Sequence, residues 1–185
     1  MKELTLETER LLLRPFRLGD EAQVLQIASN PEVVKYTGDV IRTTMEEMTD
    51  LITNVWLSDY TKYGYGRLAV LDKKTATIIG FNGIKYLPEL SESDLGYRFL
   101  PEYWGKGIAT ESSRAVLKYA FGTLRLKKIM GFTLLENHAS TSVLKKLGFT
   151  WFQLKEYPGE EGVEPPVNWF QLTEGAFKKN SIERA

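Results

Sequence analysis

The sequence predicts an α/β protein: a mixed, mostly antiparallel sheet with helices on both faces. Strand-like and helical apolar patterns follow one another in the order β-α-α-β-β-β-α-β-α-β-β. Residues 67–86 read as two strands joined by the charged turn Asp72-Lys73-Lys74, a hairpin by its local signals. The strands cluster around a central β-α-β-α unit, which calls for helices on both sides of the sheet.

Each element has its own signal. Residues 10–17 read as a strand ending near Pro15, and 20–29 as a short helix stopped by Asn30-Pro31. Met45, Met48, Leu51, Ile52, Val55 and Trp56 recur at helical spacing, with Thr43 or Thr44 placed to cap the helix. Gly64 and Gly66 hand over to the hairpin strands at 67–71 and 78–86. A strand at 94–100 follows. Then Ile108, Ser112, Ala115, Val116, Tyr119 and Ala120 line one helical face, with Gly122 as terminator. Residues 128–135 form a strongly apolar strand, and 140–147 a short helix stopped at Gly148. Strands at 149–157 and 168–172 flank a loop at 158–166 rich in Gly, Pro and Glu. A fraying tail ends the chain.

The chain has 185 residues with no repeat or linker, so one domain is expected over 1–185, its core at about 8–178. Lys plus Arg balances Asp plus Glu at 24 each, which argues against a nucleic-acid or membrane-surface partner. The absence of cysteine excludes thiolate metal sites and a cysteine nucleophile, and a single histidine argues against zinc, so no metal is expected. No apolar run is long enough to cross a membrane and the N-terminus lacks a signal-like segment, so a cytoplasmic location is expected.

The most informative stretch is Tyr103-Trp104-Gly105-Lys106-Gly107-Ile108-Ala109-Thr110-Glu111, between a strand and a helix. Its glycines let backbone approach a ligand, and the new helix offers unpaired N–H groups at its positive end, an arrangement suited to phosphate. A P-loop fails here, because Leu100 stands where the first glycine belongs and Gly107 follows Lys106 in place of Ser or Thr. A dinucleotide fingerprint fails as well: Thr110 takes the third glycine's place, and 131–135 offer no acidic residue.

What remains resembles the GCN5-related N-acetyltransferase (GNAT) superfamily, and within it the ribosomal-protein N-terminal acetyltransferases. The resemblance runs through Thr8-Glu9-Arg10-Leu11, Leu13-Arg14-Pro15, Gly96-Tyr97-Arg98, the glycine stretch, Asn137-His138-Ala139-Ser140 and Lys146-Leu147-Gly148-Phe149. It implies a GNAT fold with two splayed strands and acetyl-CoA as cosubstrate. The implied diphosphate ligands are the N–H groups of Gly105, Lys106, Gly107, Ile108, Ala109 and Thr110; Trp104 departs from the family's Gln or Arg. Backbone groups of Phe99 and Leu100 are implied partners of the pantetheine arm, a bulge there opening the strands and leaving an N–H for the thioester carbonyl.

Asn137 falls where the family places an amide against pantetheine, although an Asn after a strand is also a common turn residue. Ser140 is either a helix cap or a proton donor to the leaving thiolate. The tyrosine that many relatives use as that donor is replaced by Leu144.

The resemblance implies direct attack by an amine on the thioester. An alkyl ammonium has a pKa near about 10.4 and an α-amine near about 8, so a general base is needed. Asp94 takes the place of a Glu in many relatives; it is otherwise a solvated carboxylate at a strand start, with Glu92 in competition. His138 occupies a variable position, and Tyr97, Tyr103 and Trp104 read as wall residues. The acceptor, a protein N-terminus or a small-molecule amine, is expected between the N-terminal helices, the hairpin and the 158–166 loop, where Glu160, Glu161 and Glu164 could attract a cation. Pairing into a homodimer is a further expectation. The alternative is a non-catalytic acyl-CoA-binding or sensing module.

Overall fold

The computed structural model describes residues 4–158 and 166–182. Its first half contains β1 (Leu6–Glu7), β2 (Leu11–Pro15), α1 (Glu21–Ala28), α2 (Pro31–Val34), α3 (Met45–Asp50), a π-helical segment (Leu51–Leu57), α4 (Ser58–Tyr63), β3 (Arg67–Asp72) and β4 (Ile78–Leu87). The second half contains β5 (Glu92–Phe99), a 3-10 turn (Pro101–Tyr103), α5 (Ile108–Gly122), β6 (Lys128–Leu134), α6 (His138–Leu147), β7 (Thr150–Lys155), β8 (Val167–Thr173) and α7 (Glu174–Ile182).

All eight strands join one sheet in the order β1-β2-β3-β4-β5-β6-β8-β7. Every pairing is antiparallel except β5 with β6, so the expected mixed, mostly antiparallel sheet is present. Strand side chains alternate between faces, and each face has its own core. On one side Val116, Leu117, Ala120 and Phe121 of α5 and Leu144 and Leu147 of α6 pack on Leu13, Val70, Ile79 and Leu95. On the other, Val24 and Ile27 of α1, Met48 of α3, and Ile52 and Trp56 pack on Ala69, Leu71, Ile78 and Phe81. Helices therefore cover both faces, as the sequence pattern requires.

Local chemistry fixes the helix starts. Thr44 and Glu47 form a reciprocal capping box at α3. Asn30, which reads from sequence as a stop, also accepts from the Glu32 N–H and so caps α2. Asp20 precedes α1 but binds Arg14 through two 2.8 Å hydrogen bonds, tying that helix to β2.

The helix predicted from 45 to 56 continues to Tyr63, because a π-helical segment carries the backbone through without a break. Residues 174–182, part of the tail expected to fray, are helical: Phe177 packs against Phe121, and Lys127 and Lys178 both pair with Glu174; residues 183–185 lie outside the described residues. β1 adds an unforeseen edge strand. Gly122 ends α5 from within its last turn, and Thr123 takes the cap position.

One irregularity shapes the functional region. β5 and β6 pair at Ser93–Ile129 and Asp94–Met130, and their ladder goes no further. Beyond that point β5 stays with β4 as far as Phe99–Gly80, while β6 stays with β8 as far as Leu134–Val167. The strands part into a wedge whose apex is at Asp94 and Met130.

Candidate active site

The wedge opens toward the glycine stretch. Gly105 and Gly107 both have left-handed backbone, with φ of +71° and +77°, a conformation that costs a non-glycine residue about 1–2 kcal/mol. A Cβ on Gly105 would meet nothing within 4 Å, so this loop leaves open space beside its main chain. Gly107 is the N-cap of α5 and supplies no side-chain cap; its carbonyl accepts from Glu111 N–H, and the amides of Ile108, Ala109 and Thr110 precede that first helical bond. The residues expected to hold a diphosphate thus share one loop and helix start.

Two tethers hold this loop. Trp104 donates its indole N–H to the Phe99 carbonyl at 2.7 Å, pinning the loop to the end of β5. The residue that departs from the family pattern is therefore a strut. The second tether explains the Thr8-Glu9-Arg10-Leu11 block. Glu111, in the first turn of α5, accepts from Thr8 Oγ1, from the Arg10 N–H and from the Arg10 side chain, and Arg10 Nη1 reaches the Lys106 carbonyl at 3.0 Å. Burial works to raise the Glu111 carboxyl pKa, but these donors outweigh it and hold the group below the usual glutamate range. The Lys106 ammonium lies 5.8 Å from the centre of the Tyr103 ring.

Register sorts the pantetheine candidates. The Leu100 N–H donates to the Ile79 carbonyl, so Leu100 turns its backbone toward β4. Antiparallel alternation then turns the N–H groups of Leu95, Tyr97 and Phe99 toward the wedge. Of the pair Phe99 and Leu100, it is Phe99 whose N–H faces the gap, while its carbonyl holds Trp104.

The same alternation splits the side chains around the apex. Tyr97 points to the α6 face, where its hydroxyl lies 2.9 Å from Ser140 Oγ. Burial pushes the Tyr97 phenol up to about 12, against a smaller opposing effect of Ser140, so the phenol stays protonated near neutral pH. Ser140 is not the helix cap: α6 begins at His138, and Asn137 caps it by accepting from the Ser140 N–H at 3.0 Å. The Asn137 oxygen serves the helix, which leaves its NH2 for a ligand. Leu144 is buried one turn beyond Ser140, and His138 is exposed.

Asp94 points to the other face, with Arg98 and the α1–α4 layer. It is 6% exposed, and its two oxygens lie 3.1 and 3.0 Å from Arg67 Nη2. Arg67 also donates to the Gly83 and Asp94 carbonyls. It reaches across the sheet because Gly96 has no side chain; a Cβ there would stand 2.3 Å from Arg67 Nη2. Glu92 pairs instead with Lys128 outside the wedge.

A cavity of about 900 Å³ joins these parts, bounded by Asp59, Arg67, Asp94, Tyr97, Asn137 and Ser140 among others. The α2–α3 connection, with Asp39 paired to Arg98, forms its outer wall. Sequence reasoning missed Arg67 and Asp59. The signal for Asp59 was its spacing from Met48, Ile52 and Trp56, which puts a carboxylate on the buried helical stripe. Arg67 had no local signal. Glu160, Glu161 and Glu164 lie outside the described residues. Among the described residues no helix is long and apolar enough to cross a membrane.

Comparison with known proteins agrees with this geometry. Residues 10–150 match the Acetyltransferase (GNAT) domain family. The chain is 33% identical over 147 residues to the uncharacterized N-acetyltransferase p20 of Bacillus licheniformis, covering 78% of this chain and 82% of that one. It is 26% identical over 138 residues to the spermidine N(1)-acetyltransferase of Escherichia coli K12, covering 75% and 72%. The crystal structure of a GNAT-family acetyltransferase from Bacillus anthracis superposes with a TM-score of 0.77 at 25% identity, covering 93% of this chain and 99% of that one. Enzymes of this kind use acetyl-CoA; the chain belongs to the GNAT family and is an N-acetyltransferase.

Proposed function

We propose that this enzyme transfers the acetyl group of acetyl-CoA to a primary amine by direct attack. The observation that carries this reading is the wedge between β5 and β6, closed at Asp94–Met130 and open toward the amides of 105–110. The five β5 residues beyond Asp94 span about 17 Å of extended strand. A slender arm laid along them would bring its thioester to the apex.

The chain's residues would then divide the work. Amides of Gly105, Lys106, Gly107, Ile108, Ala109 and Thr110 bind the diphosphate at the positive end of α5. The Phe99 N–H and the Asn137 amide hold the arm, and an N–H turned into the wedge polarises the thioester carbonyl. The bound donor supplies an activated acetyl carbon and a thiolate leaving group. Tyr97 and Ser140 stand on the α6 face, placed to give that sulfur a proton, while the part of the cavity on the Asp94 face admits the amine. Approach from one side and departure on the other follow from the period-two alternation of β5. Asp94 remains on the acceptor side, but each of its oxygens already serves Arg67. Its remaining lone pairs suit orienting an ammonium better than accepting a proton.

For the acceptor, the resemblance to ribosomal-protein acetyltransferases favours a protein N-terminus, and the spermidine-acetylating relative favours a polyamine. Acidic groups in the cavity suit either cation. The test is thiol release from acetyl-CoA with spermidine, other primary amines and N-terminal peptides, with products weighed by mass spectrometry. Tight CoA binding without acetylation of any of them would refute the proposal.

A further inference from the structure

We infer that Asp59 binds the acceptor ammonium and takes its proton. This rests on the acetyl-transfer reading above and names the base within it.

Three aspartates line the cavity: Asp39, Asp59 and Asp94. Asp39 is paired with Arg98, and Asp94 with Arg67. Asp59 differs: its Oδ2 is shielded from solvent and has no hydrogen-bond partner among the described residues. A carboxylate oxygen removed from water and left unmatched is costly unless something cationic meets it. The cavity is where such a group would arrive.

The backbone supports a dedicated placement. Asp59 is in the first turn of α4, directly after the π-helical segment Leu51–Leu57. Such segments are uncommon, and they change the phase of a helix, re-aiming the residues beyond them. Here Trp56 is buried in the apolar layer with one edge on the cavity, and Asp59 lines the cavity beside it.

The surrounding charges are Lys85 on β4, Arg67 on β3, Asp94 on β5 and Lys62 on α4 itself; the phenols of Tyr60 and Tyr65 also lie within electrostatic reach. Burial raises the Asp59 carboxyl above the ordinary aspartate value and Asp94 adds to this, while Lys85, Arg67 and Lys62 pull it down. A carboxyl shifted in that direction is better matched to proton transfer near neutrality.

The step balances without another reagent. Asp59 takes one proton from the ammonium, and the freed nitrogen pair forms the C–N bond to the acetyl carbon. As the tetrahedral adduct collapses, the C–S pair leaves on sulfur and the nitrogen's second proton is lost. Sulfur gains one proton, and Asp59 returns its own to water.

The test compares Asp59→Asn with Asp94→Asn. For Asp59→Asn, kcat/KM for a primary amine should fall about 10²- to 10⁴-fold and the acid limb of its pH profile should vanish. CoA affinity by calorimetry and thermal stability should hold, because an unmatched charge has been removed. Independently of turnover, ¹³C NMR of the ligand-free wild type, assigned by difference from Asp59→Asn, should show this carboxyl titrating above the ordinary aspartate range. If Asp59→Asn keeps both its rate and its acid limb while Asp94→Asn loses them, Asp94 is the base and the inference is overturned. A carboxyl titrating at the ordinary value overturns it too, whatever the variant's rate; should Asp59→Asn not fold, Asp59→Glu supplies the difference spectrum. If the wild type binds CoA yet acetylates no amine, the acetyl-transfer reading itself fails and takes this inference with it.

Discussion

At the mouth of the wedge, between Trp104 and Thr110, the candidate ligands are main-chain amides on consecutive residues. At its apex they are the side chains of Asp59, Arg67 and Asp94, gathered from α4, β3 and β5. The two ends obey different physics. An amide cradle needs a particular backbone path, which glycines and a helix start encode locally. A cluster of side chains needs a sheet register and a helix phase, which no short segment encodes. The mouth should therefore fail by losing ligand with the fold intact, and the buried Arg67–Asp94 pair of the apex by losing stability and chemistry together.

Arg67→Ala should have the largest effect. It would leave Asp94 buried and unpaired, and breaking a buried pair costs about 3–5 kcal/mol. Denaturant unfolding should show a loss of that order. The double variant Arg67→Met, Asp94→Leu should recover much of it, because two apolar groups leave no orphan charge. A stable but inactive double variant would mean that the pair is kept for its chemistry. Retained stability in Arg67→Ala alone would break the contrast between the two ends.

Gly107→Asp tests the mouth. Left-handed backbone is tolerated by Asp better than by most residues, and a carboxylate is favourable at a helix N-terminus, so the fold should survive. The same carboxylate would repel a diphosphate. Since a hydrogen bond to a charged group is worth about 1.5–3 kcal/mol, CoA affinity should fall about a hundredfold or more. Calorimetric titration checks it, and unchanged affinity would remove the amide cradle from the binding site.

This contrast also explains what the sequence disclosed. The order of most strands and helices and the glycine loop were legible because each leaves a local pattern, whereas Asn137 and Ser140 were placed near the wedge by the family resemblance. The exchange of cap and capped residue between Ser140 and Asn137 was not legible, since either side chain can cap and only the helix start decides. Phe99 and Leu100 could not be ranked until the Gly80–Phe99 register was known. Asp59 falls at helical spacing from Met48, Ile52 and Trp56, but that spacing does not tell that the stripe ends at a cavity shared with β3 and β5. α7 lacked an amphipathic stripe and gains its place from Phe121 and Lys127, far back in the chain.

Tyr97→Phe and Ser140→Ala sharpen the comparison within the apex. Either variant removes one member of the hydroxyl pair facing the expected sulfur. A thiol with a pKa near about 8.5 leaves with modest help, so kcat should fall by about tenfold, short of the 10²-fold or more of a full general acid. KM for acetyl-CoA should barely move. Stopped-flow thiol release checks both, and a rate unaltered in either variant would make the pair purely structural.

The smallest effect belongs to the tether that joins β2 to the loop. The Glu111 carboxyl is held below its usual range in the folded protein, so the stability it adds is complete above the unfolded value of about 4.3 and fades as pH falls through the folded one. Glu111→Gln should remove that dependence, flatten the acid side of the stability curve and cost about 1 kcal/mol at neutral pH. It should also loosen Arg10, whose guanidinium holds the Lys106 carbonyl in the middle of the amide loop. CoA affinity should drop severalfold while the amine's KM stays put, because the tether touches the mouth alone. An equal change in both constants would show that strain in the loop reaches the apex, and the two ends would then have to be treated as one site.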